Sequence, residues 1–540
     1  MRIVAGFSSG LAASAGTASL LAWLGHGLNP AMAAVCLLAG VVVAVFAGWK
    51  TVDHLPARLG VWDLLILTVF LLAAFRAFFW LLYPDGSSLK ILSPHNLGDL
   101  SLHLGFINYF ASGIPFWPPS PILVGAPLTY PPAADLFNAL LLLVGVDIRG
   151  GLILTGFGLA LLSAWALWRY GGAFTVAAFL FGGGLAGFAI FRTGEFIEYG
   201  SDLVWKNAFL TMLVTQRGFL FALPAGLVLL WAWRQDFFGK QERSMPLVFQ
   251  ALIYGTMPLF QLHTFLFLSA ALAAAVAANP AGWRRPVGVG VTALIPATAS
   301  VLAVTAEFSS GGKFRFEPGW ALGEAGLPGF VLQFGVAIIL GCILVFKLIK
   351  AGEPADWWIA GISAGIALVA FLFPFTDWAW DNTKLLIWCW IAPAPLLWKY
   401  VIAPLPVPSR AALCLLLFFS GAMALTAGLD RRHGYQLANR EELAEWQNLV
   451  ADLPPETVFA CQPDYNHPLL LLGRRVVCGY EGHLSSHGLA YRDKLSALKE
   501  ILTLKPGWQP LAESVGADFV ALRSTESGSG KAALIPARSR

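Results

Sequence analysis

Charged residues are scarce in this sequence: Asp, Glu, Lys and Arg make up 12% of 540 residues, against 57% hydrophobic. Soluble domains carry about 25% charged residues, so an ordinary soluble globular protein is excluded. The net charge of +4 is small and spread out, which leaves no basic footprint for nucleic acid. Cysteine is scarce too. Cys36, Cys342, Cys389 and Cys414 fall in apolar runs, where a thiol packs as a small apolar group. Cys461 and Cys478 fall in the polar C-terminal part; they are either unrelated thiols or, in an oxidising compartment, a disulfide pair. No Cys/His spacing matches a zinc site. A Walker-type phosphate loop, a GxSxG elbow and an arginine ladder are missing as well.

Long apolar runs fill the space that charge leaves. Runs of about 18 residues or more suffice for a helix to cross a bilayer. Candidate crossings lie near 4–26, 31–48, 62–83, 133–148, 150–168, 173–191, 218–234, 246–261, 263–279, 287–306, 328–348, 357–373, 384–398 and 409–428. The first reads as a membrane helix, since a convincing leader cleavage site is lacking. The expected fold class is an all-α polytopic membrane bundle of about 12–14 helices, residues 1–428. After it, 429–540 is expected to form a small α/β domain. "REELAEWQNLVADL" and "RDKLSALKEIL" have helical spacing, and "ETVFAC", "RRVVCGY" and "ADFVAL" read as short strands. The end, "STESGSGKAALIPARSR", reads as disordered.

Lys and Arg favour cytoplasmic loops. Lys50, Arg58, Arg234, Lys240, Arg243, Arg284, Arg285, Lys347, Lys350, Lys399 and Arg410 are assigned there. The loops near 84–132, 192–217, 307–327 and 374–383, and the tail after 429, then face the other side. Arg431 and Arg432 break the rule. Three apolar segments separate the loops 84–132 and 192–217, although a return to one face needs an even number. One segment must fail to cross: either "FLFGGGLAGF" (179–188) or 133–148.

Ionisable groups at membrane depth are costly and point to function. Asp99 and His103 are four apart and share a helix face if 97–110 is helical; a helix cap and a solvated histidine are the structural alternative. "PFWPPSPILVGAPLTYPP" is too proline-rich for helix or central strand and reads as a stiff lid. Trp117 and Tyr130 in it suit a lipid–water interface or a sugar face. Asp202 lies in the acidic stretch 195–206, which also holds Glu195 and Glu198. Gln216 and Arg217 open a crossing, where the arginine either snorkels or grips a phosphate. His263 either bridges helices or joins a site. Asp381 and Asn382 either cap a helix or line a substrate, with Lys384 as a candidate phosphate cation. In the tail, His483 and His487 are two metal-ligand types without a third.

"GDLSLHLGFINYFASG" followed by "PLTYPPAADL" resembles the first extracytoplasmic loop of the GT-C superfamily of polytopic glycosyltransferases. "TQRGFLFALPAGL", "PLFQLHTF" and "WAWDNTKLL" resemble successive motifs of its bacterial members, and "NHPLLLLGRRVVCGYEGHLSSHG" their soluble tail. The superfamily includes protein O-mannosyltransferases and aminoarabinose transferases. The resemblance implies a polyprenyl-phosphate sugar donor and inversion at the anomeric carbon. It places the general base at Asp99, with His103 as helper. Many relatives carry two adjacent acids there; Gly98-Asp99 lacks the second, which weakens any expectation of a metal.

The expected function is therefore an inverting hexosyl- or pentosyltransferase of the cell envelope. It would act in a bacterial inner membrane, with its active face extracytoplasmic. Asp99 and His103 are the catalytic candidates. Arg217, Lys384, Gln216 and His263 would bind the donor phosphate, and Tyr130, Asp202, Asp381 and Asn382 would line the substrate. No cofactor is called for. The expected partners are the lipid-linked donor, the bilayer, and a glycan, lipid or protein acceptor. The alternatives are a flippase or transporter of a lipid-linked saccharide, or a noncatalytic scaffold of envelope-glycan assembly.

Overall fold

The computed structural model describes residues 1–53, 58–92, 97–194, 203–239, 243–306, 315–376, 378–430, 432, 434–528 and 530–537. Among the described residues eight helices are long and apolar enough to cross a membrane: Arg2–Leu24, Pro30–Lys50, Val61–Phe79, Ile148–Phe181, Arg217–Phe238, Arg284–Thr305, Pro354–Leu372 and Val407–Gly428. Two more spans are broken. Gly326–Phe334 meets Ala337–Lys350 at 68°, and Ala379–Ile391 meets Ala394–Ile402 at 47°. Three shorter apolar helices, Ala133–Leu143, Leu247–Phe260 and Leu262–Ala278, join the bundle.

A reversal lies inside one of these helices. Ile148–Phe181 is 34 residues long but loses helical geometry at Gly171 and Gly172. Before that break Phe157 packs on Phe75 and Phe79, and Arg169 pairs with Asp53 at 2.6 Å. After it the Ala173 amide donates to Asp63 and Phe179 stacks on Phe70. The chain thus reverses at the glycine pair and runs back along Val61–Phe79, but it has reached only Phe70 when the helix ends at Phe181, and Phe188 and Phe191 then pack on Phe419. The segment near 133–148 is also too short to cross. Its helix has 11 residues, about 16 Å at about 1.5 Å per residue, against a hydrocarbon core of about 30 Å. The triple glycine at 182–184 only ends the returning helix at Phe181.

The two ends of the bundle differ. At one end Asp356, fully buried, is held by Arg234, by Lys399 at 3.1 Å and by the Tyr400 hydroxyl at 2.6 Å. There the Val52 amide also donates to Ser244 O, and Arg285 donates to Asp236 O. These belong to the loops assigned to the cytoplasm. The opposite end carries the loop 84–132, the connector before Ala379 and the C-terminal unit.

The loop 84–132 is largely ordered structure. Strands β1 (Tyr83–Asp85) and β2 (Ser88–Ile91) form a hairpin, and β2 pairs antiparallel with β3 (Tyr435–Asn439) from the tail. Helix Leu97–Ala111 follows, then the proline-rich lid. In the tail, β4 (Val458–Ala460), β5 (Arg475–Val476), β6 (Phe519–Leu522) and β7 (Ala533–Pro536) form a sheet in the order β5-β4-β6-β7. β4 runs parallel to both neighbours, and β7 closes the β6 edge antiparallel.

The tail end therefore corrects one expectation: "ALIP" is a strand. Glycine and serine on its N-terminal side hid a segment whose backbone completes the ladder of β6. The C-terminal unit is docked on helix Leu97–Ala111 at backbone distance. A Cβ on Gly105 would lie 2.6 Å from Leu470 O, and the Asn108 amide donates to Leu471 O at 2.7 Å. The lid also joins the sheet: Val476 and Gly479 donate to Pro121 O and Ile122 O at 2.9 and 2.8 Å, and Val124 donates to Val477 O. Cys461 and Cys478 are both buried free thiols.

Candidate active site

Asp99 stands in the first turn of helix Leu97–Ala111, at the mouth of the bundle. Its Oδ2 accepts from Gln216 Nε2 at 2.9 Å. The oxygen of the same amide faces Lys384 Nζ at 3.4 Å. Gln216 immediately precedes the crossing Arg217–Phe238, while Lys384 lies in the first turns of Ala379–Ile391. Three distant segments therefore converge through one amide. Lys384 also pairs with Asp381 at 2.7 Å, with both side chains mostly buried. Burial lifts the Asp99 carboxyl above the ordinary carboxylate range, and the charge of Lys384 and the hydrogen bond from Gln216 pull it partly back.

One turn on, His103 is 2% exposed and directs Nδ1 at both oxygens of Asp135, at 3.0 and 2.9 Å. Asp135 comes from the short helix Ala133–Leu143 and is itself fully buried. Sequence reading passed over it inside the motif "PLTYPPAADL", although an acid opening an apolar run was the available signal.

Tyr130 is within electrostatic reach of both carboxylates. Phe106 stacks on it at 5.2 Å and His487 at 5.0 Å. Two rings thus pack on Tyr130, which stays partly exposed. Its hydroxyl remains a donor, because burial pushes the phenol well above its usual range, with Asp135 and Asp99 adding to the effect. Trp117 is likewise used within the lid, donating to Leu128 O at 2.9 Å.

The C-terminal unit forms the roof. His483 Nε2 lies 3.1 Å from Gly98 O, and His487 is within electrostatic reach of Asp381, Lys384 and His103. Burial holds both imidazoles neutral, lowering His483 to about 4 and His487 to about 3. Neither was assigned from sequence, because nothing in local spacing shows that a tail residue folds back over the first loop.

The remaining candidates divide. His263 packs beside Phe375, with ring centres 5.4 Å apart, and is within reach of Lys384 and Asp381. Arg217 is one residue beyond Gln216 but faces away from Lys384. It donates to Thr155 at 2.7 Å, and Thr155 donates to Asn138 at 3.1 Å. Its other guanidinium nitrogens, Nε and Nη1, are buried without partners beside a cavity of about 20 Å³. That is room for about one water and too little for a phosphate. Asn382 is 1% exposed, and its amide braces the connector by binding Phe375 N, Thr376 N, Thr376 O and Trp378 O. It does not line a cleft. Asp202, Glu195 and Glu198 lie outside the described residues. Among the described residues no three His, Cys, Asp or Glu side chains form a group that could hold a metal ion.

No protein-family model matches the chain, and no curated protein does. Among solved structures, the chain is similar to the oligosaccharyltransferase of Archaeoglobus fulgidus tethered with an acceptor peptide containing the NVT sequon. The TM-score is 0.50 at 12% identity, over 86% of this chain and 69% of that one. A second structure is the archaeal oligosaccharyltransferase AglB from Archaeoglobus fulgidus in complex with an inhibitory peptide and a dolichol-phosphate. It aligns with a TM-score of 0.42 at 13% identity, over 85% and 69% of the two chains. The likeness establishes the fold: a GT-C-like polytopic membrane bundle with a small C-terminal α/β unit.

Proposed function

We propose that this chain is an inverting glycosyltransferase that moves a hexose or pentose from a polyprenyl phosphate to an acceptor hydroxyl. It would work at the extracytoplasmic face of a bacterial inner membrane, as the sequence resemblance implies. One observation carries the reading: the Gln216 amide joins the Asp99 carboxylate to the Lys384 ammonium at one end of the bundle.

In this reading Asp99 takes the proton of the acceptor hydroxyl as its oxygen attacks the anomeric carbon. The bond from that carbon to the phosphate oxygen breaks on the opposite face. The electron pair leaves with the prenyl phosphate, whose charge Lys384 meets. Gln216 orients the base by donating to it, and the Tyr130 hydroxyl is a second donor beside the reacting centre. Asp381 keeps Lys384 in place. A glycan, a lipid or a protein would each supply a suitable hydroxyl.

The test uses the full-length protein in nanodiscs with radiolabelled polyprenyl-phosphate sugars. Wild type is expected to release sugar from the lipid, and Asp99→Asn to abolish release with yield and circular dichroism unchanged. Wild-type turnover in Asp99→Asn would remove the base assignment. Donor that crosses vesicles uncleaved would instead identify a flippase.

A further inference from the structure

Asp135 and His103 form a pair that the transfer step above leaves unused. A carboxylate with no exposed surface is costly unless its charge is met. The direct partner of Asp135 is His103, and Arg217 lies within electrostatic reach of the same carboxylate. A neutral His103 then donates Nδ1–H to Asp135, which fixes the tautomer and leaves the lone pair on Nε2. That nitrogen has no hydrogen-bond partner among the described residues. His103 is one helical turn from Asp99 and within its electrostatic reach. A carboxylate orienting an imidazole whose other nitrogen stays free is the arrangement of a general base and its orienter.

We propose that His103, oriented by Asp135, receives the acceptor's proton from Asp99. His103 is thus a relay, and Asp135 a positioning residue. The inference rests on the transferase reading. The acceptor O–H bond breaks as the glycosidic bond forms, and the proton passes through the Asp99 carboxylate to His103 Nε2. Asp135 stabilises the imidazolium. Asp99 returns to its ionised form while the prenyl phosphate still holds the electron pair of the broken bond. The proton leaves to water after product release. The groups facing His103 are Asp99 on its own helix, Asp135, Tyr130 of the lid at 6.0 Å between rings, and His483 and His487 of the roof.

Two measurements on the full chain in nanodiscs test this. In sugar transfer, Asp135→Asn is expected to lower kcat at least tenfold and to change the pH–rate profile, with the donor KM unchanged; Asp135→Glu restores part of the rate. Wild-type kcat and profile in Asp135→Asn overturn the proposal. Where that variant fails to fold, His103→Gln carries the same expectation for kcat. The second measurement needs no donor. Diethyl pyrocarbonate acylates neutral imidazole, and peptide mass spectrometry reads its rate at His103. Asp135→Asn should react several-fold more slowly, because without the carboxylate to hold Nδ1–H the lone pair is no longer fixed on Nε2. Equal rates overturn the orienting role. If wild type cleaves no donor at all, the transferase reading falls, and the acylation rates still decide the pair.

Discussion

Lys384 holds two acceptors at once, Asp381 at 2.7 Å and the Gln216 oxygen at 3.4 Å. Removing it alone would leave Asp381 partly buried without its partner, which costs stability as well as chemistry. Lys384→Met with Asp381→Asn removes both charges. That double variant is expected to fold while kcat for sugar transfer drops by about 10²–10³-fold, the usual loss for one group that stabilises a transition-state charge. A kcat within threefold of wild type would exclude Lys384 from the leaving-group site. The base has its own signature. Burial raises Asp99, so the carboxylate form appears only above a shifted midpoint. The transfer rate is expected to climb with pH through that midpoint and then level off. A rate already flat at the ordinary carboxylate range, about pH 4, would show that another group takes the proton. Both residues were legible in the sequence, because a charge beside an apolar run stands out. Asp135 was not singled out, because its partner is 32 residues away and only the fold brings them together.

Helix Leu97–Ala111 sets the position of the base, and its rear face is set by the C-terminal unit. Gly105 leaves no room for a side chain beside Leu470 O. Gly105→Ala must push the unit outward, at about 1–3 kcal/mol for overpacking. It is expected to lower the thermal midpoint and the transfer rate together, by displacing the roof and tilting Asp99. Normal melting and turnover would show that the docking is not coupled to the site. The apolar periodicity of the crossings was readable, because hydrocarbon length fixes helix length. The bends were harder. Gly171-Gly172 reverses the chain whereas Gly182–Gly184 merely ends a helix, and what each glycine run packs against, not its composition, separates the two.

For the whole molecule, the buried histidines of the C-terminal unit make stability depend on acid. Burial lowers His467 to about 3, His483 to about 4 and His487 to about 3, whereas an unfolded histidine titrates near about 6.5. Below that value the unfolded chain binds more protons than the folded one, so stability falls with falling pH. The contribution is complete above about 6.5 and declines towards the folded values. Amide exchange of β4–β6 and of helix Leu97–Ala111 at pH 7.5 and pH 5 checks this. Weaker protection at pH 5 is expected; equal protection would mean the imidazoles are already solvated.

Taken alone, the amino-acid order determined that the chain is a helical membrane bundle with a small α/β end. Scarce charge and 18-residue apolar runs admit no other solution to the hydrogen-bonding demand of the backbone in lipid. It also named Asp99, Gln216 and Lys384, since charged or polar groups at the ends of such runs are few. The tertiary structure alone decided that Arg217 is sealed against Thr155, that Asp135 grips His103, and that the tail closes over the first loop. Those outcomes depend on contacts between segments up to 385 residues apart, and contacts of that range arise from packing geometry, which no local pattern of residues encodes.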